Sequence, residues 1–206
     1  MPSPSVIPAV LLLALAASLP MSLRAAEPAG CDWRERALPA DADLIDSRGL
    51  GLEERLLPID DQPQAAELLA LLERPALPLG DLQGRWRVRS LQFSRMSGDA
   101  GQVFAYPFFS ALIDRNPCGY HLAKTSGSQR RSGQLYPLHG EPMLAFLGAA
   151  TINAQTPADY DPQRPAESQA PGDGNSAGVL RRIGADELLL VLDATGDDFE
   201  VYHLKR

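Results

Sequence analysis

The sequence predicts a mainly β protein: an antiparallel barrel or curled sheet of roughly eight strands, preceded by a small N-terminal helical region. Three observations predict it. From Gly84 onward apolar residues recur at period 2. Short, turn-rich joints separate the apolar segments, and joints this short favour antiparallel neighbours. Closing such a series on itself removes exposed strand edges.

The helical region comes first. Asp41-Ala42-Asp43 offers a cap for a helix running from Leu44 toward Leu57, with Leu44, Ile45, Leu52 and Leu56 on one face. Gly49 and Gly51 weaken that helix, each by up to ~1 kcal/mol against Ala. The next segment is stronger: Asp61 is a good N-cap, Pro63 suits the first turn, and Ala65, Leu68, Leu69 and Leu72 form one stripe. Pro75 ends it, and Pro75 to Pro78 is a linker. Residues 27–79 are therefore helical region and linker, and residues 80–206 the barrel-like domain.

In the first strand Trp86 and Val88 alternate with Arg85, Arg87 and Arg89, giving one apolar and one charged face. Further strands are predicted at Val103–Asp114, Gly119–Lys124, Gln134–Tyr136, Met143–Ile152, Gly178–Ile183, Leu188–Asp193 and Phe199–Leu204. Residues 153–177 break the rhythm. They are rich in Pro, Gly, Gln, Asp and Ser and read as a long flexible loop, either a tolerated insertion or a lid over a barrel mouth.

The N-terminus carries a different signal. Val6 to Leu19 is apolar apart from Pro8 and Ser18, too short for a bilayer span of about 20 residues but of signal-peptide length. Small residues follow at Ala25 and Ala26, so residues 1–26 are expected to be a signal peptide and the protein to work in the periplasm or cell envelope. No Lys or Arg precedes Val6, so the basic n-region rests on the α-amine alone. Cleavage there would leave two cysteines, Cys31 and Cys118, in an oxidising compartment, where a disulfide between them is expected. Pro28-Ala29-Gly30-Cys31 weakly resembles a lipobox, so lipid anchoring at Cys31 stands as the alternative.

Loss of residues 1–26 removes Arg24 and no acid, leaving 18 Lys and Arg against 26 Asp and Glu, a net charge of −8. That balance disfavours nucleic acid or anionic lipid as a partner. With no second long apolar run, the mature chain is expected to have no transmembrane segment. Chemistry-bearing motifs are sparse. There is no phosphate-binding loop, no G-x-S-x-G elbow and no metal spacing among His121, His139 and His203. The two cysteines have no C-x-x-C spacing either. No cofactor, metal site or catalytic residue is therefore expected.

Two resemblances add to this. Tyr106-Pro107-Phe108-Phe109, Ser126-Gly127-Ser128-Gln129-Arg130 with Gly133, Leu135-Tyr136-Pro137, Phe146-Leu147-Gly148, Ala177-Gly178-Val179 and Arg182-Ile183-Gly184 follow one another in order. From about Trp33 onward the chain thereby resembles a family of exported proteobacterial proteins known only as a domain of unknown function. The resemblance implies export and no particular activity. Members of that family carry cysteines in the strands corresponding to Val88 and Ala111, which this chain lacks, and the Asn153 loop looks inserted. Gly84-Arg85-Trp86 also resembles the opening of lipocalin and calycin barrels, which implies a barrel and hints at ligand binding.

What remains as a candidate surface is polar and aromatic: Tyr106, Lys124, Gln129, Arg130 and Tyr136, brought near one another if the barrel is a meander. Tyr and Arg are common anchors for anionic or carbohydrate-like ligands and for partner proteins. The expected role is non-catalytic binding of a small molecule or an envelope protein at the barrel mouth. An envelope hydrolase and a structural or assembly factor are the rival classes.

Overall fold

The computed structural model describes residues 30–95, 100–164, 174–192, 194 and 198–206; the expected signal peptide, residues 1–26, lies outside them. Three short helices come first: α1 (Pro39–Ser47), α2 (Leu52–Leu56), which runs into a 3-10 turn at Leu57–Ile59, and α3 (Pro63–Leu72). Nine strands follow: β1 (Gly84–Ser94), β2 (Gln102–Ala105), β3 (Phe109–Asn116), β4 (Gly119–Lys124), β5 (Gln129–Pro137), β6 (Met143–Ile152), β7 (Gly174–Gly184), β8 (Glu187–Leu192) and β9 (Phe199–Lys205). Every pairing is antiparallel, and β1 pairs with β9, so β1 and β3–β9 close into an eight-stranded meander barrel. β2 is an extra strand on the far half of β1.

Differences from the sequence reading have local causes. The single helix expected from Leu44 toward Leu57 is two, because Arg48, Gly49 and Gly51 all take positive φ (56°, 69° and 77°) and turn the chain between them. Asp61 does not cap α3; the N-cap is Gln62, with Pro63 in the first turn. The strand expected over Val103–Asp114 is split. Tyr106 N still donates to Ser90 O at 3.0 Å, but Pro107 has no N–H to continue the ladder, and pairing resumes at Phe109 opposite Val88. β7 begins at Gly174, so the long connection ends earlier than expected, and residues 165–173 lie outside the described part.

Alternation then sorts the side chains. Trp86, Val88, Ile113, Leu122, Leu135, Leu144, Phe146, Leu180, Leu188, Leu190 and Leu204 form one interior cluster. Burying each such side chain contributes about 1.5–3 kcal/mol. In the barrel wall Gly133 pairs with Gly148, and a Cβ on Gly133 would sit 2.3 Å from the Gly148 Cα, so only glycine fits this close crossing. Leu82 closes the end where β1 begins and accepts the Trp86 indole N–H at 2.8 Å through its carbonyl.

The outer face is apolar in two places, each covered from the N-terminal region. α2 and α3 lay Leu52, Leu56, Ala65, Leu68, Leu71 and Leu72 on Leu91, Phe93, Leu189, Val191 and Val201. Trp33 with Leu44 and Ile45 of α1 covers Tyr136, Ala145, Leu147 and Val179. The Cys31–Cys118 disulfide is formed, with Cα atoms 5.0 Å apart, and staples the start of the described chain to the β3–β4 turn. The sulfur on which a lipid would be carried is thereby used. No described helix is long and apolar enough to cross a membrane.

Candidate functional site

The inward-facing positions change character along the barrel. Toward the end where β1 finishes and β9 starts, leucines give way to Ser90, Gln92, Lys124, Arg131, Ser176, Glu200 and Tyr202. Each follows from parity: Ser90 and Gln92 continue the Trp86–Val88 face of β1, and Glu200 and Tyr202 the Leu204 face of β9. Ser90, Lys124, Ser176 and Glu200 are all buried. A charge in such surroundings is tolerated only when hydrogen-bonded or paired.

Glu200 is the hub. Its carboxylate accepts from the Ser90 hydroxyl, from Gln92 Nε2 at 3.2 Å and from Arg131 Nη1. Arg131 is itself oriented by Ser176 Oγ at 2.9 Å and the Tyr202 hydroxyl at 3.3 Å. This buried pair is well furnished with donors, the condition under which such pairs persist.

Lys124 is different. It is only 6% exposed, and among the described residues its ammonium makes one hydrogen bond, from Nζ to the Gln129 carbonyl at 2.6 Å. The ammonium otherwise faces the rings of Phe109 and Tyr202, 4.7 and 5.3 Å from their centroids. No carboxylate among the described residues forms an ion pair with it. An ammonium has three N–H donors, so two are left for something else. Burial pushes its pKa below the usual lysine value; Glu200 opposes that shift and Arg131 adds to it.

Three of the five sequence-predicted residues converge here. The Tyr106 hydroxyl donates to Gln92 Oε1 at 3.2 Å, Gln92 Nε2 reaches Gln129 Oε1 at 3.3 Å, and the Gln129 carbonyl receives Lys124. Arg130 and Tyr136 do not join them. Arg130 points off the outer wall, where its Nη2 donates to the carbonyls of Asn153 and, at 2.8 Å, Gln155, clamping the first turn of the long loop. Tyr136 lies under Trp33 and α1, where burial raises its pKa. It borders a separate cavity of about 250 Å³ with Arg36, His121, Asp159 and Tyr160.

The loop's described half lies against the outer wall. Ser132 Oγ donates to Ala158 O at 2.9 Å, and Tyr160 accepts from Leu38 N at 2.8 Å while donating to Asp41.

Sequence reasoning missed Ser90, Gln92, Arg131, Ser176 and Glu200. The available signal was polar residues at inward parity: Ser90 and Gln92 break the apolar face that Trp86 and Val88 begin.

The histidines are elsewhere. His203 is buried on the outer face of β9, 3.4 Å from Glu187 Oε2, and burial lowers its pKa. His121 faces Asp159 at 3.4 Å on the outer wall. Among the described residues no group of three metal-ligand side chains comes together.

Neither the curated proteins nor the solved structures contain a match to this chain. A family model does match, over residues 33–204, and spans both the helices and the whole barrel. The chain therefore belongs to the family described as Domain of unknown function (DUF4893).

Proposed function

We propose that this protein is exported to the cell envelope and binds, without transforming it, a small ligand carrying a negative charge at the polar mouth of its barrel. The observation that carries the reading is Lys124, a buried ammonium that forms no ion pair with a carboxylate among the described residues and lies near the neutral side chains of Gln92, Gln129 and Tyr106. A carboxylate or comparable anion seated there would take its two spare N–H groups, with Gln92, Gln129 and Tyr106 as neutral partners. Export is supported by the apolar run ahead of Ala25-Ala26 and is compatible with the Cys31–Cys118 bridge. The closed meander with one apolar and one polar end also suits a lipocalin-like manner of binding.

Native mass spectrometry of protein taken from the envelope fraction tests this. The wild type is expected to carry a small co-purifying mass that Lys124→Met lacks. A bare wild type, or the same mass on both proteins, would remove the support. A mass that survives denaturation and maps to Lys124 would mark covalent chemistry and favour the enzyme reading.

A further inference from the structure

A second cluster of polar groups lies on the outside of the barrel, away from the two outer faces that the described helices cover. On β1 the outward positions Arg85 and Arg87 stand two residues apart on one face. Arg87 is flanked by Ser110 of β3 on one side and Lys205 of β9 on the other, and Arg85 pairs with Leu112 of β3. With Arg206 these residues line a groove of about 490 Å³, and none of the described residues in its wall is acidic. In a chain of net charge −7 such a concentration of cations is unexpected.

The cations are also largely unspent. Among the described residues Arg85 has no hydrogen-bond or ion-pair partner, and Arg87 meets only the Phe108 ring, 4.8 Å away. Arg206 donates to the Gln83 carbonyl at 2.6 Å and lies over the Trp86 ring, and its charge helps to lower the pKa of Asp81. Lys205 is ion-paired with Glu187 at 3.3 Å, so the two arginines of β1 are the cations left without an acid among the described residues. Four like charges gathered on one wall repel one another, and a multiply charged anion relieves that repulsion.

We propose that this groove binds the phosphoryl group of a phosphate monoester or diester, held between the Arg85 and Arg87 guanidinium groups with Lys205 and Arg206 at its margin. A phosphoryl group offers several acceptor oxygens to the guanidinium forks, and a monoester carries about −1.5 to −2 charge at pH 7. A single carboxylate would neutralise only one of the four cations. The groove is larger than an inorganic phosphate needs, and Leu112 supplies an apolar wall for the carbon part of an ester. The ester comes either from a soluble metabolite or from a lipid headgroup.

Calorimetric titration of the mature chain with sn-glycerol 3-phosphate, and co-sedimentation with phosphatidylcholine vesicles containing one-quarter phosphatidylglycerol, test the proposal and separate its two sources. Glycerol and pure phosphatidylcholine vesicles are the blanks. Saturable binding of either phosphate probe is expected, at least tenfold weaker in Arg85→Gln/Arg87→Gln and unchanged in Lys124→Met. Binding to the ester alone assigns a soluble ligand, and binding to the vesicles alone assigns a headgroup.

No binding of either probe overturns the site, as does a double variant that binds like the parent. Binding lost in Lys124→Met but kept in the double variant would transfer the phosphate to the barrel mouth and overturn the groove instead. Both arginines are exposed, so the double variant should melt within a few degrees of the parent. If it does not, Arg85→Gln alone, which removes no side-chain hydrogen bond or ion pair among the described residues, must weaken binding for the proposal to stand.

Discussion

Lys124 can be examined without knowing the ligand. Its folded-state pKa is depressed, chiefly by burial, so between that value and the unfolded lysine value near 10.4 the unfolded chain holds more protons. Stability must rise with pH across that window. Wild type should therefore gain on Lys124→Met as pH is raised from 7 to 10, read by urea denaturation of both proteins; parallel pH profiles would mean the amine is solvated after all. Glu200 bears the opposite burden. Glu200→Ala removes the carboxylate on which Ser90, Gln92 and Arg131 converge, and a loss of about 3–5 kcal/mol is expected. Arg130 was legible as a polar anchor but not as a clamp, because nothing in Ser128-Gln129-Arg130 says which way the side chain leaves the strand. Arg130→Ala should cost only about 1 kcal/mol, since the groups it bonds are near water. It should also raise amide exchange at residues 153–155.

Among the elements, the helices are the barrel's outer lagging rather than an appendage. Leu68 of α3 is fully buried against the β1, β8 and β9 wall, so Leu68→Ala should lower stability by about 2–5 kcal/mol in a denaturant melt. The stripe that positions it was readable from periodicity alone. The breaks were less so: Pro107 sits inside an apolar run, and only the β1 partner reveals that pairing stops and restarts around it. The disulfide was readable from compartment logic and two cysteines. It closes a separation of 87 residues, for which chain entropy alone gives about 4–5 kcal/mol. Cys31→Ser/Cys118→Ser should show a loss of that order, smaller if the bridge strains the native state, and chiefly destabilise the Trp33–α1 layer. An unchanged melting temperature would mean that layer holds itself.

For the whole molecule, alternation and short joints make the barrel legible, because period 2 fixes which side chains face in and closure follows from the strand count. The site is less legible because it is assembled from single polar residues on separate strands, so no local motif announces it. Net charge is silent in the same way: an acidic chain still gathers Arg85, Arg87, Lys205 and Arg206 on one wall, since an average says nothing about position. Export makes its own prediction, that the envelope form begins near Ala26 or Glu27 on N-terminal sequencing; an intact Met1 in the cytoplasm would contradict it. The central claim is that the polar mouth is a receptor and not merely a buried network. The chain's only lysines, Lys124 and Lys205, allow a direct measurement: reductive methylation mapped by peptide mass spectrometry, on protein as isolated from the envelope and after mild denaturation and refolding to strip bound molecules. The account predicts that Lys124, buried in either case, reacts measurably faster once stripped than as isolated, with Lys205 as the internal standard. Equal Lys124 reactivity in the two preparations would contradict it.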